Sequence, residues 1–367
     1  MTATTVLVSG AMGQVGKRTV EILLERGRTV IALDLRNEST EAVATRLATL
    51  PTGTFVPAYV DLLDAAALGR LLAEHRPQAI LHLAAAVAPV AYEKPTLARR
   101  VNRDGTANLI AAAQALGTRP LFVEASSASV YGSRNPHTHA DRLTASTPVN
   151  PVDCYGEDKV AAEQLVANSG LPHATLRLGG IISPDLARNA GPSYDLMRRA
   201  FPGDQRIHAV DARDVALAFA NAADRAATID GKTLLIGGNE TYVMRQQELE
   251  DDLLAGMGIG RLGSDLVLPG DPSDERGWGL TDWFDTSEAQ ALLDFQQHDW
   301  AETCAWVGRT VVGQARPLIR LASPFMRTAM RRRRRKSDRR DGRGPYADPW
   351  ALLGGAYGPE ILAPTSW

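Results

Sequence analysis

The stretch Thr5-Val6-Leu7-Val8-Ser9-Gly10-Ala11-Met12-Gly13-Gln14-Val15-Gly16 decides the fold of this chain. A short apolar run, typical of a buried strand, leads directly into three spaced glycines and then into a helical pattern. Glycines at such a turn let the backbone approach a pyrophosphate, which then faces the N-terminus of the helix. The spacing G-x-x-G-x-x-G leaves a tight turn without a ligand as the alternative. The residues predicted to contact a dinucleotide are Gly10, Gly13, Gln14, Val15 and Gly16.

Short apolar runs alternate with amphipathic helical patterns through the first half of the chain. The runs begin near residues 29, 55, 79 and 121, and further runs follow at residues 174–178 and 232–236. Between the early runs, apolar residues recur every three or four positions, as in helices that cover a sheet. The sequence therefore predicts an α/β fold, a doubly wound parallel sheet of the Rossmann type with right-handed crossovers.

Changes in composition predict the domain organisation. We expect residues 1–181 to form a dinucleotide-binding domain to which residues 207–240 return. Residues 182–206 and 241–308 are rich in Gly, Pro and Asp, and they should build a smaller, interleaved substrate lobe over the strand ends. Residues 309–367 contain a run of arginines and are expected to be a basic C-terminal appendage, with Pro317 and Pro324 interrupting any helix there.

The composition is that of an ordinary enzyme-sized chain. With 40 basic and 42 acidic residues, the net charge of −2 predicts no general attraction to nucleic acid. Cys154 and Cys304 have no metal-ligand spacing and are too few for a disulfide framework, so we expect no metal site and a reducing compartment. No secretory signal and no apolar run of about 20 residues is evident. A cytoplasmic protein is expected.

Acidic residues after the second and third strands suggest which dinucleotide binds. Asp34 follows the glycines by roughly 20 residues, where a carboxylate accepts hydrogen bonds from ribose hydroxyls and repels a 2′-phosphate. This favours NAD. Arg36 could clamp a 2′-phosphate or be a surface cation, so NADP stays open. Asp61 and Leu62 are placed to meet the adenine, although Asp61 could equally be a helix cap.

Tyr155 and Lys159 lie one helical turn apart, and an ammonium beside a phenol can lower its pKa towards neutrality. Such a phenol can exchange a proton with a substrate oxygen while a hydride moves to or from the cofactor. Ser127, just past the end of a strand, is predicted to hold that oxygen, with Ser126 and Ser129 as competing candidates. Local loop chemistry is the alternative role for these serines.

Taken together, these motifs resemble the extended short-chain dehydrogenase/reductase family, in particular its NAD-dependent epimerase/dehydratase branch. The resemblance extends from about Thr5 to Phe295. The residues that carry it are the three glycines, Asp34, Asp61-Leu62, His82-Leu83-Ala84-Ala85, Val101-Asn102, Gly105-Thr106, Ser127 to Gly132, Tyr155, Lys159, Arg206 to Val215 and Asp285-Thr286-Ser287.

The resemblance implies a role for each of several residues. Ser127, Tyr155 and Lys159 would be the catalytic residues, with Asn102 supporting the lysine through a water. His82, Ala84 and Ala85 would line the cofactor, although His82 is equally well explained as a core histidine with satisfied hydrogen bonds. The family also implies a homodimer, formed through a helix pair that includes the Tyr155 helix.

Two departures from the family's pattern bear on the substrate. Dehydratases place an acidic pair directly after the catalytic hydroxyl residue, where this chain has Ala128 and Ser129, so dehydration is not expected. Members that grip nucleotide sugars show an Asn before Tyr-Gly-Pro, whereas Arg177–Pro184 reads RLGGIISP. The arginines that could still meet phosphates, or simply be solvated, are Arg198, Arg199 and Arg206.

We therefore predict an NAD(P)-dependent oxidoreductase that interconverts a secondary alcohol and a ketone, with Tyr155 as acid/base. A sugar-nucleotide epimerase using the same residues is the first alternative. A catalytically silent NAD-binding sensor or scaffold is the second. In the C-terminal segment, arginines interleaved with apolar residues before Arg331–Arg335 suggest peripheral membrane contact, against the alternative of a solvated charge run.

Overall fold

A computed structural model describes residues 4–185, 191–263 and 267–363 of the 367-residue chain. Parts of the predicted regions lie outside the described residues. These are residues 1–3 of the dinucleotide domain, residues 186–190 and 264–266 of the substrate lobe, and residues 364–367 of the appendage.

A seven-stranded, fully parallel sheet forms the centre of the molecule, with the strand order β3-β2-β1-β4-β5-β6-β9. The order reverses between β1 and β4, and ligands bind at such a switch point, outside the carboxyl ends of the strands. The predicted doubly wound sheet is confirmed. In chain order the strands are β1 Thr5–Ser9, β2 Thr29–Asp34, β3 Thr54–Tyr59, β4 Ala79–His82, β5 Leu121–Ser127, β6 His173–Leu178, β7 Gly180–Ile182, β8 Arg206–Asp211, β9 Lys232–Ile236 and β10 Val243–Arg245.

Helices cover both faces of this sheet. On one face, α1 and α9 pack together over Val8, Leu81 and Val123, and on the other α3 and α6 pack over Leu7 and Ile80. The α-helices of the described ranges are α1 Gly16–Glu25, α2 Glu38–Leu47, α3 Ala65–His75, α4 Val90–Glu93, α5 Pro95–Arg99, α6 Thr106–Gln114, α7 Cys154–Ala167, α8 Pro192–Ala200, α9 Ala212–Ala223, α10 Ala226–Ile229, α11 Gln246–Gly256, α12 Ser287–Leu293, α13 Trp300–Val312, α14 Arg316–Arg340 and α15 Pro349–Tyr357.

A second, three-stranded sheet of order β10-β8-β7 stands beyond the strand ends of the main sheet. Its strand β8 pairs in parallel with β7 and antiparallel with β10. The helices α11 and α13 pack against it through Leu249, Trp300 and Val307, which are buried together with Tyr242. Strand β10 and the helices α11 and α13 of this small layer lie in the residues predicted to form the substrate lobe, whereas β7 and β8 lie mainly in those predicted for the dinucleotide-binding domain.

The C-terminal segment forms a continuous helix where prolines were expected to interrupt it. Pro317 stands in the first turn of α14, where a missing amide costs no hydrogen bond, and the helix runs on through Pro324. None of the described helices is both long and apolar enough to cross a membrane.

Residues after α14 fold back onto the body of the protein. Trp350, Leu353 and Ile361 are buried in a cluster that also contains Tyr92 and Tyr155. The Trp350 Nε1 donates to the Arg276 carbonyl at 2.6 Å. The last described residue, Ala363, donates its amide to the Val152 carbonyl at 3.0 Å, close to the start of α7. The end of the predicted appendage therefore packs against both the main sheet's helices and the smaller layer.

Candidate active site

The glycine turn between β1 and α1 has no room for side chains. Gly10 has a φ of +66°, and a Cβ there would lie 2.8 Å from the Ala84 amide nitrogen. A Cβ on Gly16 would lie 2.0 Å from the Gly10 carbonyl oxygen. These glycines thus let the loop after β4 and the start of α1 approach the turn, at the switch point of the sheet.

Asp34 lies at the end of β2, directly beside this turn. Its carboxylate accepts hydrogen bonds from the backbone amides of Met12 and Leu35, each at 2.8 Å. Burial raises the pKa of Asp34 and these two hydrogen bonds lower it. Arg36 is exposed, stacks over the Tyr59 ring at 4.6 Å and faces Glu41 at 3.7 Å. A carboxylate and a cation are therefore both present where the β2 strand ends.

Asp61 and Leu62 play structural roles after β3. The Asp61 carboxylate accepts the Leu63 amide at 2.9 Å, as a turn-forming aspartate does. Leu62 is buried, and a Cβ added to Gly105 would lie 2.9 Å from its Cβ. Neither residue lines the main cavity described below, so the predicted adenine contact stays a prediction.

His82, at the end of β4, is held by hydrogen bonds on both sides of its ring. Its Nδ1 lies 2.7 Å from the Ser9 hydroxyl and its Nε2 lies 2.9 Å from the Thr106 hydroxyl. Burial, with a smaller effect of Lys159, lowers the pKa of His82 to about 3, so the ring is neutral. The geometry is that of a satisfied core histidine. Its neighbour Ala85 lines the main cavity, while Ala84 packs against Gly10.

The three predicted catalytic side chains come from β5 and α7. Ser127 ends β5, and its hydroxyl accepts the Ser129 amide at 3.1 Å. Tyr155 and Lys159 lie in the first turns of α7, which begins at Cys154 and is capped by Asp153 through the Gly156 amide at 2.9 Å. Because β5 and α7 pack together, both side chains of α7 reach the carboxyl end of the sheet.

Burial is the main influence on the Tyr155 hydroxyl, and it raises the pKa of this phenol. A hydrogen bond with Ser127 lowers the pKa, whereas the carboxylates of Asp153, Glu124 and Asp158 raise it. Tyr155 therefore carries its proton at neutral pH. Its contact with Ser127 favours this serine over Ser126, whose hydroxyl donates to Glu163 at 2.5 Å.

Lys159 is buried, and its ammonium donates to the Ala125 carbonyl at 2.6 Å. Burial lowers the pKa of Lys159, whereas the carboxylates of Glu124, Glu163 and Asp158 raise it. The ammonium is thus anchored to β5 beside Ser127. Its predicted influence on the pKa of Tyr155 stays a prediction.

Asn102 lies in a short π-helix, Arg100–Gly105, and binds the loop after β4. Its side-chain oxygen accepts the Ala86 amide at 2.8 Å, and its side-chain nitrogen donates to the Ala86 carbonyl at 3.0 Å. This pair of bonds fixes the loop that lines the cavity at Ala85, Val87 and Ala88. The water-mediated support of Lys159 that the resemblance implies stays a prediction.

Glu124 is a buried carboxylate to which sequence reasoning gave no role. It lies in β5 with 1% of its surface exposed, and neither carboxylate oxygen has a hydrogen-bond partner. Burial raises the pKa of Glu124 to about 8, and Lys159 is the largest opposing influence. The sequence contained the signal, because the charged Glu124 stands between the apolar residues Leu121–Val123 and Ala125 in the predicted strand.

One cavity of about 540 Å³ brings the predicted sites together. Its wall contains the glycine turn at one end and the side chains of Ser127, Tyr155 and Lys159 at the other. Residues from β7 and α8 of the smaller layer close it, among them Gly180, Ile182 and Tyr194. The residues predicted to bind a dinucleotide at the glycine turn and those predicted to transfer a proton therefore line one space.

Comparisons with known proteins agree with this geometry. Residues 6–237 match the model of the NAD dependent epimerase/dehydratase family. A UDP-glucose 4-epimerase of Schizosaccharomyces pombe is 33% identical over 186 residues, 47% of this chain and 50% of that protein. The enzyme of the same name from Mycolicibacterium smegmatis is 34% identical over 158 residues, 43% of this chain and 48% of that protein. The chain thus spans about half the length of the curated relatives it matches.

Solved structures share the fold at lower identity. UDP-glucose-4-epimerase from Stenotrophomonas maltophila, solved with bound NAD and formylated UDP-arabinopyranose, superposes with a TM-score of 0.70 at 22% identity, covering 85% of this chain and 99% of that one. The UDP-Glc/GlcNAc 4-epimerase from Campylobacter jejuni gives 0.68 at 18% identity, covering 84% and 99%. With the family match spanning more than half of its residues, the chain belongs to the NAD dependent epimerase/dehydratase family.

Proposed function

We propose that this protein is an NAD(P)-dependent oxidoreductase that interconverts a secondary alcohol and a ketone, with Tyr155 as acid/base. The observation that supports it best is the shared cavity, in which the glycine turn and the Ser127, Tyr155 and Lys159 side chains face one space. The residues fit NAD, because the turn presents backbone without side chains and a carboxylate, Asp34, stands beside it. When bound, NAD supplies the acceptor or donor of the hydride.

The chain's own residues would handle the proton and the oxygen. Since burial keeps Tyr155 protonated, its hydroxyl is set to donate to a ketone oxygen as the hydride reaches the adjacent carbon. Ser127, in hydrogen-bond contact with Tyr155, would hold that oxygen in place. Lys159, fixed on the Ala125 carbonyl, would stabilise the phenolate that the reaction leaves behind.

The test is the substitution Tyr155→Phe, assayed with NAD and NADP on panels of secondary alcohols, ketones and sugar nucleotides. Loss of the proton donor is expected to reduce kcat at least about 100-fold while NAD binding by calorimetry persists. Tyr346→Phe, at an exposed tyrosine, is the matched control and should be fully active. Unchanged turnover in Tyr155→Phe would remove the mechanism.

A sugar-nucleotide epimerase is the second candidate, favoured by the UDP-sugar epimerases among the relatives. It would use the same residues to oxidise and re-reduce one carbon with a cofactor that stays bound. Purified protein that retains NAD and inverts a UDP-sugar without net NADH would select this alternative. The silent sensor finds no support, because the relatives named above are enzymes.

Two partners are proposed in addition to a small-molecule substrate. A homodimer through a helix pair that includes α7 rests on the family resemblance and is checked by sedimentation. Peripheral contact of α14 with an anionic membrane is supported by three exposed apolar side chains, Leu318, Leu321 and Phe325, on a helix that ends in arginines.

A further inference from the structure

A second cavity of about 430 Å³ adjoins the one that contains Tyr155. The two share a wall that contains Ile182, Tyr194 and Leu249 together with Arg198 and Gln246, so a bound molecule can extend from one into the other. Apolar side chains form much of the wall of the second cavity: Leu253, Leu254, Met257, Val307 and Met330. The charged residues Asp195, Arg198, Glu250 and Arg333 line the rest of it.

The C-terminal helix α14 supplies part of this wall. Met330 and Arg333 line the second cavity, and both lie well beyond the residues that match the family model. The helix is fixed against the smaller layer, since Arg331 donates to the Leu262 carbonyl at 2.7 Å and Asp338 faces Arg199 at 3.4 Å. Part of the wall of this pocket therefore lies outside the residues that match the family model.

Charged partners already occupy the arginines that the sequence suggested for phosphate binding. Arg198 lies between Glu250 at 2.5 Å and Asp195 at 3.1 Å. Arg199 lies 3.0 Å from Asp341. A diphosphate would have to compete with these carboxylates for each guanidinium.

Arg206 and the glycines after β6 also give little support to diphosphate binding. Arg206 donates to the His139 carbonyl at 2.8 Å and stacks over Trp283 at 4.5 Å. Gly179 and Gly180 belong to the stretch RLGGIISP, which lacks the Asn before Tyr-Gly-Pro of members that bind nucleotide sugars, and both glycines line the first cavity. Of the charged residues that line the second cavity, Arg333 is exposed, and Arg198 is paired with Glu250 and Asp195.

We propose that the second cavity receives an apolar arm of the substrate, a hydrocarbon chain or ring system attached to the reacting secondary alcohol or ketone. The arm would take the place of the nucleotide diphosphate. This proposal rests on the proposed function of the Tyr155 site. Because each buried methylene contributes about 0.8 kcal/mol, kcat/KM is expected to rise about fourfold per added carbon until the pocket is full.

The experiment compares 2-alkanols from 2-butanol to 2-dodecanol with NAD in the wild type, Leu253→Trp and Leu253→Met. The wild type should prefer long chains. Leu253→Trp, which fills the pocket, should lose at least about tenfold on 2-dodecanol while 2-butanol turnover stays within about twofold. Leu253→Met, of equal volume, should behave as the wild type. Equal kcat/KM for all chain lengths in the wild type would overturn the proposal.

A binding measurement separates this proposal from the proposed function. If no alcohol is oxidised, calorimetric titration of the NAD-loaded protein with 2-dodecanone tests whether the second cavity binds an apolar chain. Binding that Leu253→Trp weakens and Leu253→Met retains supports the pocket even where the proposed reaction fails. No binding of 2-dodecanone, or UDP-glucose binding that Leu253→Trp abolishes, would overturn the apolar arm.

Discussion

At the scale of single residues, Glu124 carries the clearest consequence for stability. Burial raises its pKa from an ordinary 4.5 to about 8, so between these values the folded protein holds a proton that the unfolded chain has released. The contribution of this proton to the free energy of unfolding is fully present below pH 4.5. It is lost as the pH rises through 8. One proton can change the free energy of unfolding by at most about 1.4 kcal/mol per pH unit.

Replacing Glu124 by Gln should remove this dependence. The difference in unfolding free energy between the variant and the wild type, from urea titrations, is expected to grow in favour of the variant between pH 5 and pH 8. Glu163→Gln, which breaks the pair with Arg177 at 2.7 Å, should instead destabilise the protein. A constant difference between Glu124→Gln and wild type across this range would contradict the assignment.

Asp34 should decide which dinucleotide is preferred. Its carboxylate sits at the glycine turn and would repel a 2′-phosphate, whereas Arg36 lies nearby on the surface. Asp34→Ser is therefore expected to shift the ratio of Kd values towards NADP by at least about tenfold, or 1.4 kcal/mol, in calorimetric titrations. Arg36→Ala should lower NADP affinity alone. An unchanged ratio of the two Kd values in Asp34→Ser would show that the carboxylate does not discriminate between the two dinucleotides.

At the scale of elements, α14 presents three large apolar side chains to solvent. Leu318, Leu321 and Phe325 are 70%, 80% and 81% exposed, and the helix continues into Arg331–Arg335. Each arginine near an anionic membrane contributes about 1 kcal/mol, and each apolar side chain adds to this when it enters the interface.

Replacing these three apolar residues by Ser should weaken binding to vesicles that contain phosphatidylserine at least about tenfold, as measured by flotation. Raising the salt concentration should weaken wild-type binding, because the arginine contribution is screened. Leu35→Ser, at an exposed leucine outside α14 and outside the proposed dimer interface, is the control. Wild-type protein that stays with the soluble fraction on anionic vesicles would end the membrane proposal.

At the scale of the whole molecule, the C-terminal residues join the two layers. Trp350 is buried beside Phe201 of the smaller layer and bonded to the Arg276 carbonyl. Trp350→Ala is therefore expected to cost about 3–5 kcal/mol of unfolding free energy, seen as a lower Tm and urea midpoint. Tyr346→Ala, at an exposed side chain nearby, should cost under about 0.5 kcal/mol. If both variants were equally stable, the residues after α14 would not contribute to joining the two layers.

The sequence by itself determined the features that local patterns encode. The apolar runs and glycine spacing predicted the parallel sheet and its first turn, and Tyr155 with Lys159 lay on one helix as their spacing required. Helical and strand periodicity act over a few residues, so a single stretch of chain is enough to reveal them.

Tertiary structure alone decided what depends on distant partners. Asn102 binds Ala86, His82 binds Ser9, and Lys159 binds Ala125 through contacts between segments that are far apart in sequence. The second cavity and the docking of Trp350 likewise need elements brought together from separate parts of the chain. Local propensity carries no information on which buried groups meet, because burial and pairing are settled only when the layers pack.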